Sequence, residues 1–327
     1  MAMQETQQLD DLIVKSRRKM LSLGGSALAG LALAGIATHA NAAALTDNDI
    51  LNFALNLEYL EGNFYTLATS GQTLQMAGLG IGAGTTAAPA TGGGVVVTKA
   101  GGPAACKVPF KLTDVQAYAN ETAVEEQKHV TLLRSALGSN AVAQPTLDLY
   151  NSFIALGALV GVANFDPFAS DAFFLIGAYI FEDVGVTAYG GAAASISSNS
   201  TLVTAAGILA VEAYHAGLIR TSIFEADPNN TNGYLTLTQK ISNIRATASA
   251  TAATKTTPPG PDDIGVSIIS APLNGTAGQA VTIADVDLTT SLAYTRTPQQ
   301  VLAIVTGGTA SPYKGLFFPN GLNGTIA

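Results

Sequence analysis

Between residues 45 and 228 the chain alternates long, weakly charged stretches with short runs of Gly, Asn, Asp and Pro. Within the stretches apolar residues recur every three to four positions, the period that one buried face of an α-helix imposes. Four such stretches predict four helices. The first covers about 47–70: Thr46-Asp47-Asn48-Asp49 offers an N-cap with acids in the first turn, and Gly71 ends it. Ala54, Leu57, Glu58 and Glu61 share one side of it. The second covers about 114–137, with Leu112-Thr113-Asp114-Val115-Gln116 read as a capping box behind an apolar residue and Gly138 as the stop. The third covers about 170–195, its apolar body 173–181 followed by Glu182-Asp183. The fourth covers about 201–226, with Asn199 or Ser200 as cap and Asp227-Pro228 as stop.

The pattern breaks between and after these helices. Residues 76–110 are rich in Gly, Ala and Thr, with a β-branched run at 95–98, and read as a long surface crossover carrying a strand or two. Cys106 reads as a loose thiol in that crossover. Residues 139–165 hold an apolar stretch, 147–162, read as a short helix over the bundle or part of a crossover. Past Pro228 the composition shifts to Thr, Ala, Pro and Gly. β-branched runs stand at 265–270 and 280–283, and one short helix is expected at 298–305, capped by Thr297 with Pro298 in its first position. The predicted fold is an all-α core, a four-helix bundle with a long crossover over 43–228. An irregular, partly β extension, 229–327, packs on it or forms a small lobe.

Residues 1–42 carry none of this pattern. Ser16-Arg17-Arg18-Lys19-Met20-Leu21 sets an arginine pair before an apolar run, 21–37, and Ala40-Asn41-Ala42 is an A-x-A cleavage site. The run is short and Gly-rich for a membrane anchor, so the reading is an export signal of the twin-arginine type. The expected location is periplasmic or secreted, with no membrane span after signal removal.

Composition narrows the function classes. The net charge is −8, and removing residues 1–42 leaves −9. The first twenty residues hold the only run of Lys and Arg, which argues against nucleic-acid binding. A single cysteine excludes an internal disulfide framework and a thiolate metal cage.

Three histidines are present, and His39 lies in the predicted signal. The other two each follow a glutamate by three residues: Glu126-Gln127-Lys128-His129 and Glu212-Ala213-Tyr214-His215. On a helix this spacing aligns both side chains on one face, here within apolar surroundings. A buried carboxylate beside a buried imidazole needs a partner, and a divalent cation satisfies both. Glu182 reads either as part of a surface patch or as an inward ligand. Taken inward, the chain order is Glu58, Glu-x-x-His, Glu182, Glu-x-x-His. A bundle with a two-metal centre requires this set. Four glutamates supply −4 against two divalent cations. Tyr65 and Tyr189 each follow their glutamate by seven residues, about two turns, and are candidate hydrogen-bond donors to ligands. Glu61, one turn beyond Glu58, is a supporting group and the rival for the first-helix ligand. Glu121 and Glu125 read as solvated or supporting groups.

Several segments carry a family resemblance: Asn56-Leu57-Glu58-Tyr59-Leu60-Glu61, the run 181–189 (FEDVGVTAY), the run 210–217 (AVEAYHAG), and the tail segments Arg296-Thr297-Pro298 and 317–324 (FFPNGLNG). They resemble the ferritin-like superfamily and, more closely, the desiccation-related ferritin-like proteins of plants and bacteria. The resemblance implies Glu58 and Glu182 as terminal ligands, Glu126 and Glu212 as bridges, and His129 and His215 as terminal imidazoles on two iron or manganese ions. It supplies no defined reaction. The expected function is an exported protein acting on O2, peroxide or Fe(II) in oxidative or desiccation stress, with manganese catalase-like disproportionation as one variant. The alternative is a non-catalytic stress or surface protein that keeps the bundle. A homo-oligomer is compatible with either.

Overall fold

Each helix start and stop in the bundle has an identifiable chemical cause. In the computed structural model, which describes residues 45–84, 92–252, 262–273, 276–308 and 310–327, helix α1 spans Asp47–Ser70. The Thr46 hydroxyl accepts from Asp49 N, and the Asp49 carboxylate accepts from Thr46 N at 2.8 Å. Gly71 closes α1 with its N–H on Leu67 O. Helix α2, Thr113–Leu137, begins one residue before the expected start and has no side-chain cap of its own. The Asp171 carboxylate accepts from Lys111 N and Leu112 N at 3.1–3.2 Å instead. The expected local box is thus replaced by a carboxylate from the far half of the bundle.

Helix α3, Asn151–Val160, is the short covering helix expected within 147–162. Helix α4 spans Asp171–Ala192, capped by Ser170, with a 3-10 turn at Ala193–Ser195. Helix α5 spans Asn199–Ala226, and its cap is Ser198, correcting the expected Asn199 or Ser200. The α1 residue Asp47 accepts from the backbone N–H groups of Ser197 and Ser198, tying the starts of α1 and α5 together. Helices α1 and α2 form one tightly packed pair, α4 and α5 the other, and α1 meets α4 across the bundle. By length and apolar composition α4 and α5 could cross a membrane. Here α4 is almost wholly buried by its neighbours, and α5 buries Glu212, His215 and Arg220.

The insertion contributes one strand, Val96–Val97 (β1), paired in parallel with Leu147–Asp148 (β2). Cys106 is fully buried in the 3-10 turn Pro103–Cys106, not loose in a surface loop as expected. Burial pushes its thiol pKa upward.

The extension differs most from expectation. Tyr234–Ala252 is a 19-residue helix, α6, where irregular chain was expected. Its buried positions, Leu235, Thr238, Ile241, Ser242, Arg245 and Ser249, follow helical spacing, but four of the six are polar. Apolar periodicity is therefore silent there, and Thr and Ser are indifferent helix formers. Strands β3 (Ile268–Leu273) and β4 (Thr276–Val281) pair antiparallel. The expected short helix is present as α7, Pro298–Thr306, with Thr297 and Gln300 forming a capping box.

The extension is locked to the bundle by a buried ion network. Arg245 of α6 donates to Asp183 on α4 at 2.8 Å and to Asp263 at 2.7 Å. Arg220 of α5 donates to Asp183 at 2.9 Å. Arg296 reaches Asp262, Asp263 and the Thr187 hydroxyl. The Arg296 backbone crosses so close to Gly191 that any side chain there would collide with Arg296 O. Phe317 enters the aromatic core against Phe153 and Phe181, with ring centroids 5.2 and 4.8 Å away. Asn323 exchanges backbone-to-side-chain hydrogen bonds with Asn56 of α1. The tail segments that carry the resemblance are the ones that grip the bundle.

Three arginines in this network face Asp183, Asp262 and Asp263. Asp285 is a fourth acid, and among the described residues no fourth cation joins the network. Burial, followed by the Asp183 and Asp263 charges, pushes its carboxyl up to about 8. In the unfolded chain it would titrate near 3.9. Between about pH 4 and pH 8 the folded state keeps a proton the unfolded state has lost, so this group weakens folding as pH rises through that window. An Asp285→Asn protein should therefore gain thermal stability over the parent, with a margin that widens from pH 4.5 to pH 8. A margin that stays constant across a pH series of unfolding curves would show that Asp285 is ionised in the fold.

Candidate metal centre

Helices α1, α2, α4 and α5 point Glu58, Glu126, His129, Glu182, Glu212 and His215 at one another, and all six are buried. The His129 Nδ1 atom lies 3.3 Å from Glu58, 3.7 Å from Glu126 and 3.8 Å from Glu212. The His215 Nδ1 atom lies 3.1 Å from Glu126 and 3.4 Å from Glu182. The two imidazole centroids are 6.3 Å apart. Two overlapping ligand groups result: Glu58, Glu126, His129 and Glu212 in one, Glu126, Glu182 and His215 in the other. Glu126 belongs to both, the position of a bridging carboxylate. Glu212 falls within the first group.

Eight buried atoms of these six residues have no hydrogen-bond partner: both oxygens of Glu126 and Glu212, one each of Glu58 and Glu182, and Nδ1 of both histidines. Orphaned buried polar atoms are rare in folded proteins, and each costs about 1–3 kcal/mol. Their convergence fits a cation-binding site, and the carboxylate and imidazole donors suit iron or manganese.

Neighbouring side chains fix the donors. The Tyr65 hydroxyl donates to Glu182 Oε1, and the Tyr189 hydroxyl donates to Glu58 Oε1. Each tyrosine therefore serves the glutamate of the opposite half, not the one on its own helix. Glu125 is about one-third exposed and meets His215 Nε2 at 2.8 Å, an orienting contact of the kind that accompanies metal-bound histidine. No described residue makes the equivalent contact with His129 Nε2. Glu121 is exposed, as expected of a solvated acid. Glu61 is buried but stands outside both groups, and Glu58 is the α1 residue within them.

One pair of contacts escaped the sequence reading. Arg134 and Arg220 each lie eight residues after the glutamate of a Glu-x-x-His. Arg134 donates to Tyr59, the residue after Glu58, and Arg220 to Asp183, the residue after Glu182. The repeated spacing was the signal.

The charges within the cluster shift one another's protonation. Burial opposes charge on both histidines, yet the adjoining carboxylates raise His129 to about 10 and His215 to about 12. Burial raises Glu126, but the two imidazoles outweigh it and hold it at about 2. Glu58 rises to about 7 through burial and the Glu126 charge. Burial and neighbouring carboxylates push Glu212 well above the usual range.

A bundle of two helix pairs around buried glutamates and two Glu-x-x-His motifs defines a ferritin-like protein. A model of the ferritin-like domain matches residues 46–225, and the chain belongs to that family. It is similar to the desiccation-related protein PCC13-62 of Craterostigma plantagineum, with 29% identity over 85% of this chain and 83% of that protein. It is also similar to the ferritin-like catalase Nec2 of Nesocodon mauritianus, with 28% identity over 86% of this chain and 85% of that protein. No solved structure matches.

A metal entering this cluster would have to displace the protons on the histidines and on Glu212. Titrating Mn(II) into metal-free protein at pH 7 should release about one proton or more per bound metal, seen as a heat that varies with buffer ionisation enthalpy. The apparent affinity should fall from pH 8 to pH 6. Glu125→Gln should lower affinity by about 10-fold, the loss typical of an orienting partner. Unchanged affinity would leave Glu125 without that role.

Proposed function

We propose that the protein is exported and holds a dinuclear iron or manganese centre on Glu58, Glu126, His129, Glu182, Glu212 and His215. It acts on O2, peroxide or Fe(II) in protection against oxidative or desiccation stress. The observation that carries this reading is the convergence of eight unpartnered donor atoms in a space closed to water. The arginine pair, apolar run and A-x-A site support export to the periplasm or outside the cell.

A pair of such ions supplies paired one-electron changes and Lewis acidity. The chain supplies the rest. Glu126, which belongs to both groups of candidate ligands, would be shared between the two ions. Tyr65 and Tyr189 hold one oxygen of Glu182 and of Glu58, leaving the other free to bind. Glu125 fixes the His215 ring. The Glu61 carboxyl is pushed well above the usual range by burial and then by the Glu126, Glu182 and Glu58 charges, and so holds a proton one turn from Glu58.

Among the reactions open to such a site, peroxide disproportionation needs no outside reductant, since two peroxides give two waters and O2. The similarity to a protein described as a ferritin-like catalase favours testing that reaction first.

Mature protein produced with iron or manganese should contain about two metal ions per chain by elemental analysis. His129→Ala or His215→Ala should reduce metal affinity by about 10-fold or more. A folded protein without metal under all loading conditions removes the dinuclear reading and leaves the non-catalytic stress protein. Oxygen evolution from peroxide by the manganese-loaded protein separates catalase activity from Fe(II) oxidation.

A further inference from the structure

Beside the carboxylate cluster lies an apolar pocket of about 460 Å³. Its walls come from α1, α3, α4, α6, α7 and the tail, with Leu57, Val184, Ile244 and Phe317 among them. That volume is within the range of small-molecule sites, about 300–1,000 Å³. Leu159, Asn243 and Thr247 are exposed at its rim. Glu61 and Gly185 line its inner part.

Three observations bear on what would fit. Glu61 is only 5% exposed, borders the pocket, and has no hydrogen bond to any described residue. A polar group of a ligand would satisfy it. Gly185 has no side chain, and one there would collide with a Glu212 oxygen, so only backbone separates the pocket from that carboxylate. Arg245, the other charged residue in the wall, is already committed to Asp183, Asp263 and Tyr179 O. It is not free to receive a carboxylate or phosphate.

We propose that this pocket binds a neutral, mainly hydrocarbon molecule carrying one terminal hydroxyl-type group, with that group hydrogen-bonded to Glu61 and the hydrocarbon along the apolar walls. An alcohol and an organic hydroperoxide share this chemistry. Binding itself needs no metal, so it stands or falls apart from the dinuclear reading. The site goes beyond handling of O2 or hydrogen peroxide, because neither molecule needs an apolar space of this size.

The test uses the whole mature protein, with and without manganese, and the neutral fluorophore N-phenyl-1-naphthylamine. Its fluorescence should rise on binding and be reversed by 1-octanol at concentrations about 10-fold below those needed for octanoate, since burying a carboxylate without a free cation is costly. Octyl hydroperoxide should compete like 1-octanol. If it alone competes, the ligand is a peroxide. Glu61→Leu should retain the fluorophore and abolish the preference for 1-octanol over n-octane. Ala248→Trp and, as a second filling variant, Ile244→Trp should each weaken the fluorophore by about 10-fold or more while circular dichroism and metal content stay at parent levels. Absence of a fluorescence rise, binding unaffected by a folded filling variant, or octanoate as the strongest competitor would overturn the proposal. So would an unchanged alcohol preference in Glu61→Leu.

Discussion

Four carboxylates and two imidazoles share a space from which water is excluded, and the remaining architecture follows from that constraint. Unpaired, such a set is strongly unfavourable, because like charges at short range cannot all ionise in a medium of low polarity. Charge is spread unevenly among them: the two imidazoles hold Glu126 low against its burial, while burial and neighbouring carboxylates drive Glu212 toward its neutral form. Eight donor atoms of the set have no hydrogen-bond partner, so keeping them together calls for support from the surrounding helices.

That support is the second buried charge system. Asp183 follows Glu182 directly and is gripped by Arg220 and Arg245, so the helix that presents Glu182 is pinned from its other side. Asp263 and Asp262 bring in Arg296, whose backbone seals against Gly191. Breaking one member of a buried ion network exposes the rest to an uncompensated charge, typically at a cost of about 3–5 kcal/mol. The extension is therefore more than a covering. Its arginines hold α4 in place, and Asn323 holds α1 near Glu58.

How far the chain could be read depends on which code each part uses. The four bundle helices announce themselves through apolar period and caps, and the six converging residues through two Glu-x-x-His spacings. Helix α6 was illegible because four of its six buried positions are Thr, Ser and Arg, which an apolar period does not register. The start of α2 was misread because its cap comes from Asp171, and no local pattern encodes a partner 60 residues away. The tyrosines were legible as donors to a ligand, but not which ligand: the bonds cross between the halves, Tyr65 to Glu182 and Tyr189 to Glu58. Helix spacing fixes a face, and only packing fixes which neighbour that face meets. Glu125 could be read as a supporting acid, but not as the partner of His215.

The two halves repeat more deeply than the ligands alone. Glu58 corresponds to Glu182, Tyr65 to Tyr189, Glu126 to Glu212, His129 to His215, and Arg134 to Arg220, all at matching offsets. Against that background the mismatches stand out. Glu61 and Gly185 occupy the same offset, three residues past the corresponding glutamates, and both border the apolar pocket. Glu125, which contacts His215, has Val211 at its matching offset, and among the described residues His129 has no such contact. A symmetric bundle suffices to gather six donors, and symmetry there costs nothing. Distinguishing one side of the cluster from the other requires breaking the repeat. Among the described residues the breaks fall at a buried carboxyl without a hydrogen bond, at a missing side chain over Glu212, and at the support of one histidine but not the other. Those are the positions where a pair of otherwise equivalent metal sites would become different in access and in basicity.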